Sequence, residues 1–139
     1  MSGKKIDSQL LEKAFVAAKD VRNKAYAPYS KFHVGAALID SRGGIISGCN
    51  VENASYGATI CAERNAIFQA VAKEGGKPQF QGIVLVTEPS AVPCGECLQV
   101  MGEFFSSHTP VFIATTKGIE KEISFGELLP HRFGPEALA

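Results

Sequence analysis

Apolar residues recur at helical spacing near the start of the chain. Leu10, Leu11, Ala14, Phe15, Ala18, Val21 and Ala25 fall on one helix face, and Asp7 stands where it can cap the helix start. Ala27-Pro28-Tyr29-Ser30 ends this helix, because proline cannot continue it. Phe32 to Asp40 is mostly apolar and reads as an interior strand, Ser41-Arg42-Gly43-Gly44 as a turn, and Ile45 to Asn50 as a second strand of the same hairpin. Ile60 to Glu74 predicts a helix with Ala62, Ala66, Ile67, Ala70 and Val71 on its apolar face, stopped by Gly75-Gly76.

In the second half of the chain Ile83 to Thr87 reads as a short strand. Pro93 opens a helix running to about Ser106, with Met101, Phe104 and Phe105 turned inward. Val111 to Thr115 is a strand, Thr116-Lys117-Gly118 a turn, and Glu120 to Ser124 a weaker edge strand. Glu127-Leu128-Leu129-Pro130 predicts one helical turn before a loose tail. Helices interleaved with strands in this order predict an α/β fold, a three-layer α/β/α sandwich on a mixed five-stranded sheet. The order of the strands does not follow from the pattern.

Composition narrows the function classes. A length of 139 residues is that of one domain, here 1–139, and 45% hydrophobic with 20% charged residues is ordinary globular composition. Lys plus Arg and Asp plus Glu each count 14, so the net charge is zero and long-range attraction to polyanions is weak. Apolar runs such as Ile83 to Val86 are far too short to span a membrane. No apolar stretch follows the two lysines of Met1-Ser2-Gly3-Lys4-Lys5-Ile6-Asp7, so a secretory signal is not expected and a reducing cytoplasm is the default.

The candidate chemistry lies in the cysteines: Cys49, Cys61, Cys94 and Cys97. Cys94-Gly95-Glu96-Cys97 is a C-x-x-C at a predicted helix start, where residues three apart share a face and the helix dipole favours thiolates. By itself this fits zinc, a redox pair or chance. Cys61-Ala62-Glu63 sharpens the reading, because it opens the other central helix. Two helix N-termini can converge at one end of a sheet, where open α/β folds place their ligands. Three thiolates would leave a tetrahedral zinc with one open position, the catalytic pattern, and Glu63 lies within reach of that position. A Cys or His ligand, one residue, Glu, and later P-C-x-x-C is the general signature of zinc deaminases, and Cys61-x-Glu63 with Pro93-Cys94-x-x-Cys97 satisfies it. A structural four-cysteine site using Cys49 has the wrong spacing for a zinc ribbon. A thioredoxin-like redox pair at Cys94/Cys97 leaves Cys61 and Glu63 unexplained. Cys49 reads as a buried strand residue.

The wider pattern resembles a known family, the small homotetrameric cytidine deaminases of free nucleosides. The resemblance rests on Cys61-Ala62-Glu63-Arg64 with Pro93-Cys94-Gly95-Glu96-Cys97, on Tyr29-Ser30-Lys31-Phe32 followed by Val34-Gly35-Ala36-Ala37-Leu38, and on Gly48-Cys49-Asn50-Val51-Glu52-Asn53-Ala54-Ser55-Tyr56. It extends to Glu127-Leu128-Leu129-Pro130 and Phe133-Gly134-Pro135, so it takes in about Leu10 to Leu138. It implies a cytidine deaminase-like fold and hydrolysis of cytidine and deoxycytidine to uridine and deoxyuridine in pyrimidine salvage. It implies one zinc per chain on Cys61, Cys94 and Cys97, with Glu63 as the catalytic proton shuttle. Phe32 would pack beside the pyrimidine, Asn50 and Glu52 would bind the ribose 3′-hydroxyl, and the Ala62 backbone would contact the base. Tyr56 and Phe133 would complete a neighbouring subunit's pocket in a homotetramer.

His33, Glu96 and Leu98 depart from the family's usual Pro, Ala and Arg, which leaves open a substituted cytosine base. Three thiolates make the zinc centre net negative, and a deaminase of this kind needs compensation. The helix N-termini supply some, and Arg64 is the further donor to the ligand sulfurs. Cytosine in RNA or DNA is the same-chemistry alternative. The chain has no run of Lys and Arg interleaved with aromatics to favour it.

Overall fold

Asp7 caps the first helix as the pattern predicts: its carboxylate accepts the backbone N–H groups of Gln9 and Leu10 at 3.1 and 3.2 Å. A computed structural model describes residues 5–139. Met1 to Lys4, part of the segment read for a secretory signal, lie outside the described residues. Helix α1 (Ser8–Arg22) is followed by strands β1 (Gly35–Asp40) and β2 (Ile45–Cys49). Helix α2 (Ala62–Glu74), strand β3 (Phe80–Val86), helix α3 (Gly95–Phe104), strands β4 (Pro110–Thr115) and β5 (Gly118–Ser124) and the short helix α4 (Phe125–Leu128) follow, with single 3-10 turns at Tyr56–Ala58 and Pro135–Ala137. Among the described residues no helix is long and apolar enough to cross a membrane.

The five strands form one mixed sheet in the order β2-β1-β3-β4-β5. Strand β1 pairs antiparallel with both β2 and β3, with Leu38 opposite Ile46 on one side and Ala36 opposite Leu85 on the other. Strands β3 and β4 are parallel, which requires a crossover, and α3 supplies it. The β1–β2 turn is tied by Asp40, whose Oδ1 accepts the N–H groups of Arg42 and Gly44, with Gly43 at φ 86°.

Alternation along the strands divides the core into two layers. Ala36, Leu38, Ile83, Leu85, Val111 and Ile113 pack with Ala66, Ile67, Leu98 and Met101 of α2 and α3. Ala37, Ile39, Val84, Val86, Phe112 and Ala114 face α1 through Ala14, Phe15 and Ala18. Both faces of β1 and β3 are therefore covered, and fully burying each Leu or Ile contributes about 1.5–3 kcal/mol. This is the expected α/β/α sandwich.

Element boundaries differ from the sequence pattern for identifiable reasons. Phe32 to Val34 lie outside β1, because the N–H groups of Phe32 and Val34 and the carbonyls of Phe32 and His33 bond to side chains, leaving only the Val34 carbonyl to accept a backbone N–H, that of Asn50. Phe32 is accordingly more than a third exposed instead of interior. Helix α2 begins two residues later than predicted, since Ile60 is held in a bridge to Val51. The last helix begins at Phe125, ahead of the predicted Glu127, because Ser124 and Glu127 form a capping box.

One close approach ties the sheet to α2. A Cβ on Gly48 would lie 2.5 Å from the Ala66 nitrogen and 2.9 Å from the Ala62 carbonyl oxygen, so only glycine lets the helix seat on β2. Gly48→Ala is expected to destabilise the fold by about 1–3 kcal/mol through overpacking, measured by urea denaturation. Gly102→Ala, whose added methyl meets neighbours only at 3.5 Å, is expected to be neutral or stabilising by up to about 1 kcal/mol through helix propensity.

Candidate active site

Strand direction gathers the candidate residues. Because β1 is antiparallel to β2 and β3, Gly35 lies opposite both Cys49 and Val86. The chain entering β1 and the chains leaving β2 and β3 thus meet at one end of the sheet. Both central helices start there, with Cys61 as the residue capping α2 and Cys94 as the residue capping α3. Neither thiol makes the capping hydrogen bond that Ser or Asp would make at that position, which leaves both sulfurs free.

The ligand atoms of Cys61, Cys94 and Cys97 all lie within 4.8 Å of one another. Sulfurs sharing a tetrahedral zinc at bond lengths of about 2.3 Å stand about 3.8 Å apart. The Cys61 and Cys94 sulfurs are 3.8 Å apart. The three thiols therefore fit zinc in number, type and spacing. A redox pair at Cys94/Cys97 does not account for the third sulfur beside them. Cys49, at the end of β2, is half-buried and outside this group; its carbonyl accepts the Asn65 amide at 2.8 Å.

The cluster polarises its own members. In the metal-free protein Cys61 is lowered to about 5, by the Cys97 thiol beside it and by the Arg64 guanidinium, against the cost of burial. Cys97 moves the opposite way, raised by its hydrogen bond to Cys61, by burial and by the nearby Glu63 carboxylate. Arg64 donates from Nη2 to the Cys61 sulfur at 3.5 Å, and its Nε is buried without a partner. Burial works against the Arg64 charge, but the hydrogen bonds to Cys61 and Cys97 outweigh it and hold the guanidinium ionised. Glu63, on the first turn of α2, is buried at 4% exposure, and that burial pushes its carboxyl up to about 7.

The other predicted residues divide into two groups. Ala62 is fully buried at the start of α2. Asn50 and Glu52 are buried on the segment after β2, which is clamped between neighbours: Val51 bridges Tyr26 on one side and Ile60 on the other. Glu52 accepts the N–H groups of Tyr29 and Ser30 at 2.9 and 3.1 Å and the Ser30 hydroxyl. The Ser30 hydroxyl chiefly, with those two N–H groups, holds its carboxyl below the usual range despite burial. Asn50 accepts Val34 N–H and donates to the Phe32 carbonyl, both at 2.8 Å.

Tyr56 and Phe133 are not brought together within the chain. Tyr56 stands edge-on to Tyr29, ring centres 5.9 Å apart, over a cavity of about 380 Å³ with Ser30, Glu52 and Thr59. Phe133 lines a separate cavity of about 260 Å³ with Gln99 and Leu138. Two residues of the network, Ser30 and Arg22, were missed from sequence. Ser30 could have been found as a hydroxyl two residues before Phe32, the spacing of a serine turn. Arg22, whose Nε donates to the His33 carbonyl at 3.0 Å, carries no such signal.

Comparison with known proteins agrees with this geometry. Residues 8–113 match the family model for the cytidine and deoxycytidylate deaminase zinc-binding region. The cytidine deaminase of Sporosarcina psychrophila is 44% identical over 131 residues, 93% of this chain and 95% of that protein. That of Halalkalibacterium halodurans is 43% identical, over 94% of this chain and 97% of its own. The crystal structure of the cytidine deaminase from Burkholderia pseudomallei superposes with a TM-score of 0.82 at 44% identity, covering 88% of this chain and 98% of that one. A zinc-binding deaminase domain, a three-thiol cluster at two helix starts and relatives aligned over nearly their whole length lead to one conclusion: the chain belongs to the cytidine deaminase family.

Proposed function

We propose that this protein hydrolyses cytidine and deoxycytidine to uridine and deoxyuridine with release of ammonia, in pyrimidine salvage. The observation that carries the reading is a buried carboxyl, Glu63 on the first turn of α2, beside three converging thiols. Cys61, Cys94 and Cys97 hold the zinc. When bound, zinc supplies a Lewis acid that makes water nucleophilic near neutral pH.

Glu63 carries the protons. In the metal-free protein burial raises its carboxyl to about 7, and burial acts in the direction that lets a carboxyl accept and return protons at neutral pH. Its carboxylate takes the proton of the water that attacks C4 and delivers it to N3. It then passes the second proton to the amino group, which leaves as ammonia as the C4 carbonyl forms. Arg64 and the helix starts balance the thiolate charge. Phe32 packs along the pyrimidine, the Ala62 backbone meets the base, and Asn50 and Glu52 bind the ribose. Existing partners fill about three of the four acceptor positions of Glu52 and about half the bonding capacity of Asn50, so Glu52 retains about one position and Asn50 one donor and one acceptor for a sugar hydroxyl.

The assembly is a homotetramer with shared pockets. Support comes from Tyr56 and Phe133, which at 75% and 61% exposed are the most exposed aromatic side chains among the described residues. Large exposed aromatics at two separate places fit a partner chain that covers them.

Three outcomes are expected. Cys97→Ala loses zinc, by metal analysis, together with activity; full zinc content would exclude this ligand set. Glu63→Gln keeps zinc and fold but loses at least about 10²–10⁴-fold in kcat, the usual contribution of a general acid–base group. Refolding Glu63→Gln together with Phe133→Ala gives mixed tetramers more active than the average of the two parents. Activity equal to that average, with mixed tetramers confirmed by mass, would show that each chain closes its own pocket.

A further inference from the structure

The ring of Phe32 is more than a third exposed, so core packing does not set its position. What holds it is its backbone. Its N–H donates to the Ser30 hydroxyl oxygen at 3.0 Å, and its carbonyl accepts from Asn50 Nδ2 at 2.8 Å. The Ser30 hydroxyl in turn donates to Glu52. Across this irregular segment the N–H groups of Tyr29, Ser30, Phe32 and Val34 all go to side chains of Glu52, Ser30 or Asn50. Lys31 alone bonds to backbone, at the Ala27 carbonyl, and Arg22 holds the carbonyl of His33. Backbone amides outside helices and sheets need partners, and here the partners come from residues in and around the site.

A second observation points the same way. Lys31, directly before Phe32, has φ 62°, a left-handed conformation that a long side chain adopts only where its surroundings impose it. A serine acting only as a turn former would accept the N–H two residues on and stop there. Ser30 does this and also spends its proton on a buried carboxylate whose other oxygen holds two further amides of the same loop.

We propose that Ser30 is a positioning residue: its hydroxyl, locked onto Glu52, latches the Phe32 backbone and so fixes the aromatic wall against which the substrate's base packs. The proposal rests on the deaminase reading above for its consequence in catalysis, but the latch itself exists in the free protein. Since Phe32 would contact the base alike in ground and transition states, loosening it raises KM more than it lowers kcat.

The test combines amide hydrogen exchange with a kinetic cycle on zinc-loaded protein. Ser30→Ala is expected to speed exchange at the Phe32 amide about tenfold and to raise KM for cytidine about tenfold, the size of one hydrogen bond to an ionised partner. Zinc content stays unchanged, and kcat stays within about twofold. Ser30→Thr, which keeps the hydroxyl, restores both readouts. In a Phe32→Ala background, removal of the Ser30 hydroxyl raises KM by clearly less than it does in wild type, because only the part exerted through Glu52 remains. Additive effects in that cycle, or a Phe32 amide as protected in Ser30→Ala as in wild type, would overturn the latch. The exchange readout needs no substrate. A zinc-loaded wild type that does not turn over cytidine, with exchange as expected, therefore counts against the reaction and not against the latch.

Discussion

The three cysteine sulfurs can meet because β2 and β3 run in the same direction. Each strand feeds a helix, and each helix begins where its strand ends, so the starts of α2 and α3 lie at one end of the sheet. The antiparallel β1 between them brings its own entry to the same end, and with it the loop that carries Phe32. A metal ligand set drawn from residues 61, 94 and 97, and an aromatic from residue 32, become neighbours through this arrangement. Reversing either strand pairing would send one helix start to the far end.

Convergence of two helix starts also settles the electrostatics. Several thiolates and a carboxylate crowded together repel one another, and burial removes the water that would screen them. The partial positive charge at each helix start and the Arg64 guanidinium oppose that repulsion. The result is an uneven distribution: Cys61 gives up its proton easily, while Glu63 is held near 7 and can exchange one. The same burial that destabilises a charged Glu63 makes it suited to moving protons at neutral pH.

Around this centre the fold uses two kinds of support. The zinc side stands on regular elements packed between layers, where Gly48 allows α2 to approach the sheet closely. The segment proposed to meet the substrate stands on irregular chain, where Asn50, Glu52 and Ser30 take over hydrogen bonds that a strand would have made. Irregular backbone held by side chains can be shaped to a ligand more freely than a strand can, at the cost of needing several polar residues placed together. The exposed Tyr56 and Phe133 belong to neither support.

Much of this was legible in the chain itself. Helical spacing from Leu10 predicted the first helix, because one buried face repeats at a fixed period, and the short apolar runs of β1 and β3 predicted strands buried on both faces. The three-thiol group could be anticipated because Cys61-x-Glu63 with Pro93-Cys94-x-x-Cys97 matches the general signature of zinc deaminases; spacing within a helix turn relates only Cys94 to Cys97. Tertiary structure decided what spans the chain. The strand order comes from which edges pair, and hydrophobic period does not record it. The loop character of Phe32 to Val34 was hidden because an apolar run reads as strand until the partners of its amides are known. Ser30 gains its place only when Glu52, distant in sequence, folds against it. Local periodicity encodes which face is buried, and only the folded chain determines which buried groups meet.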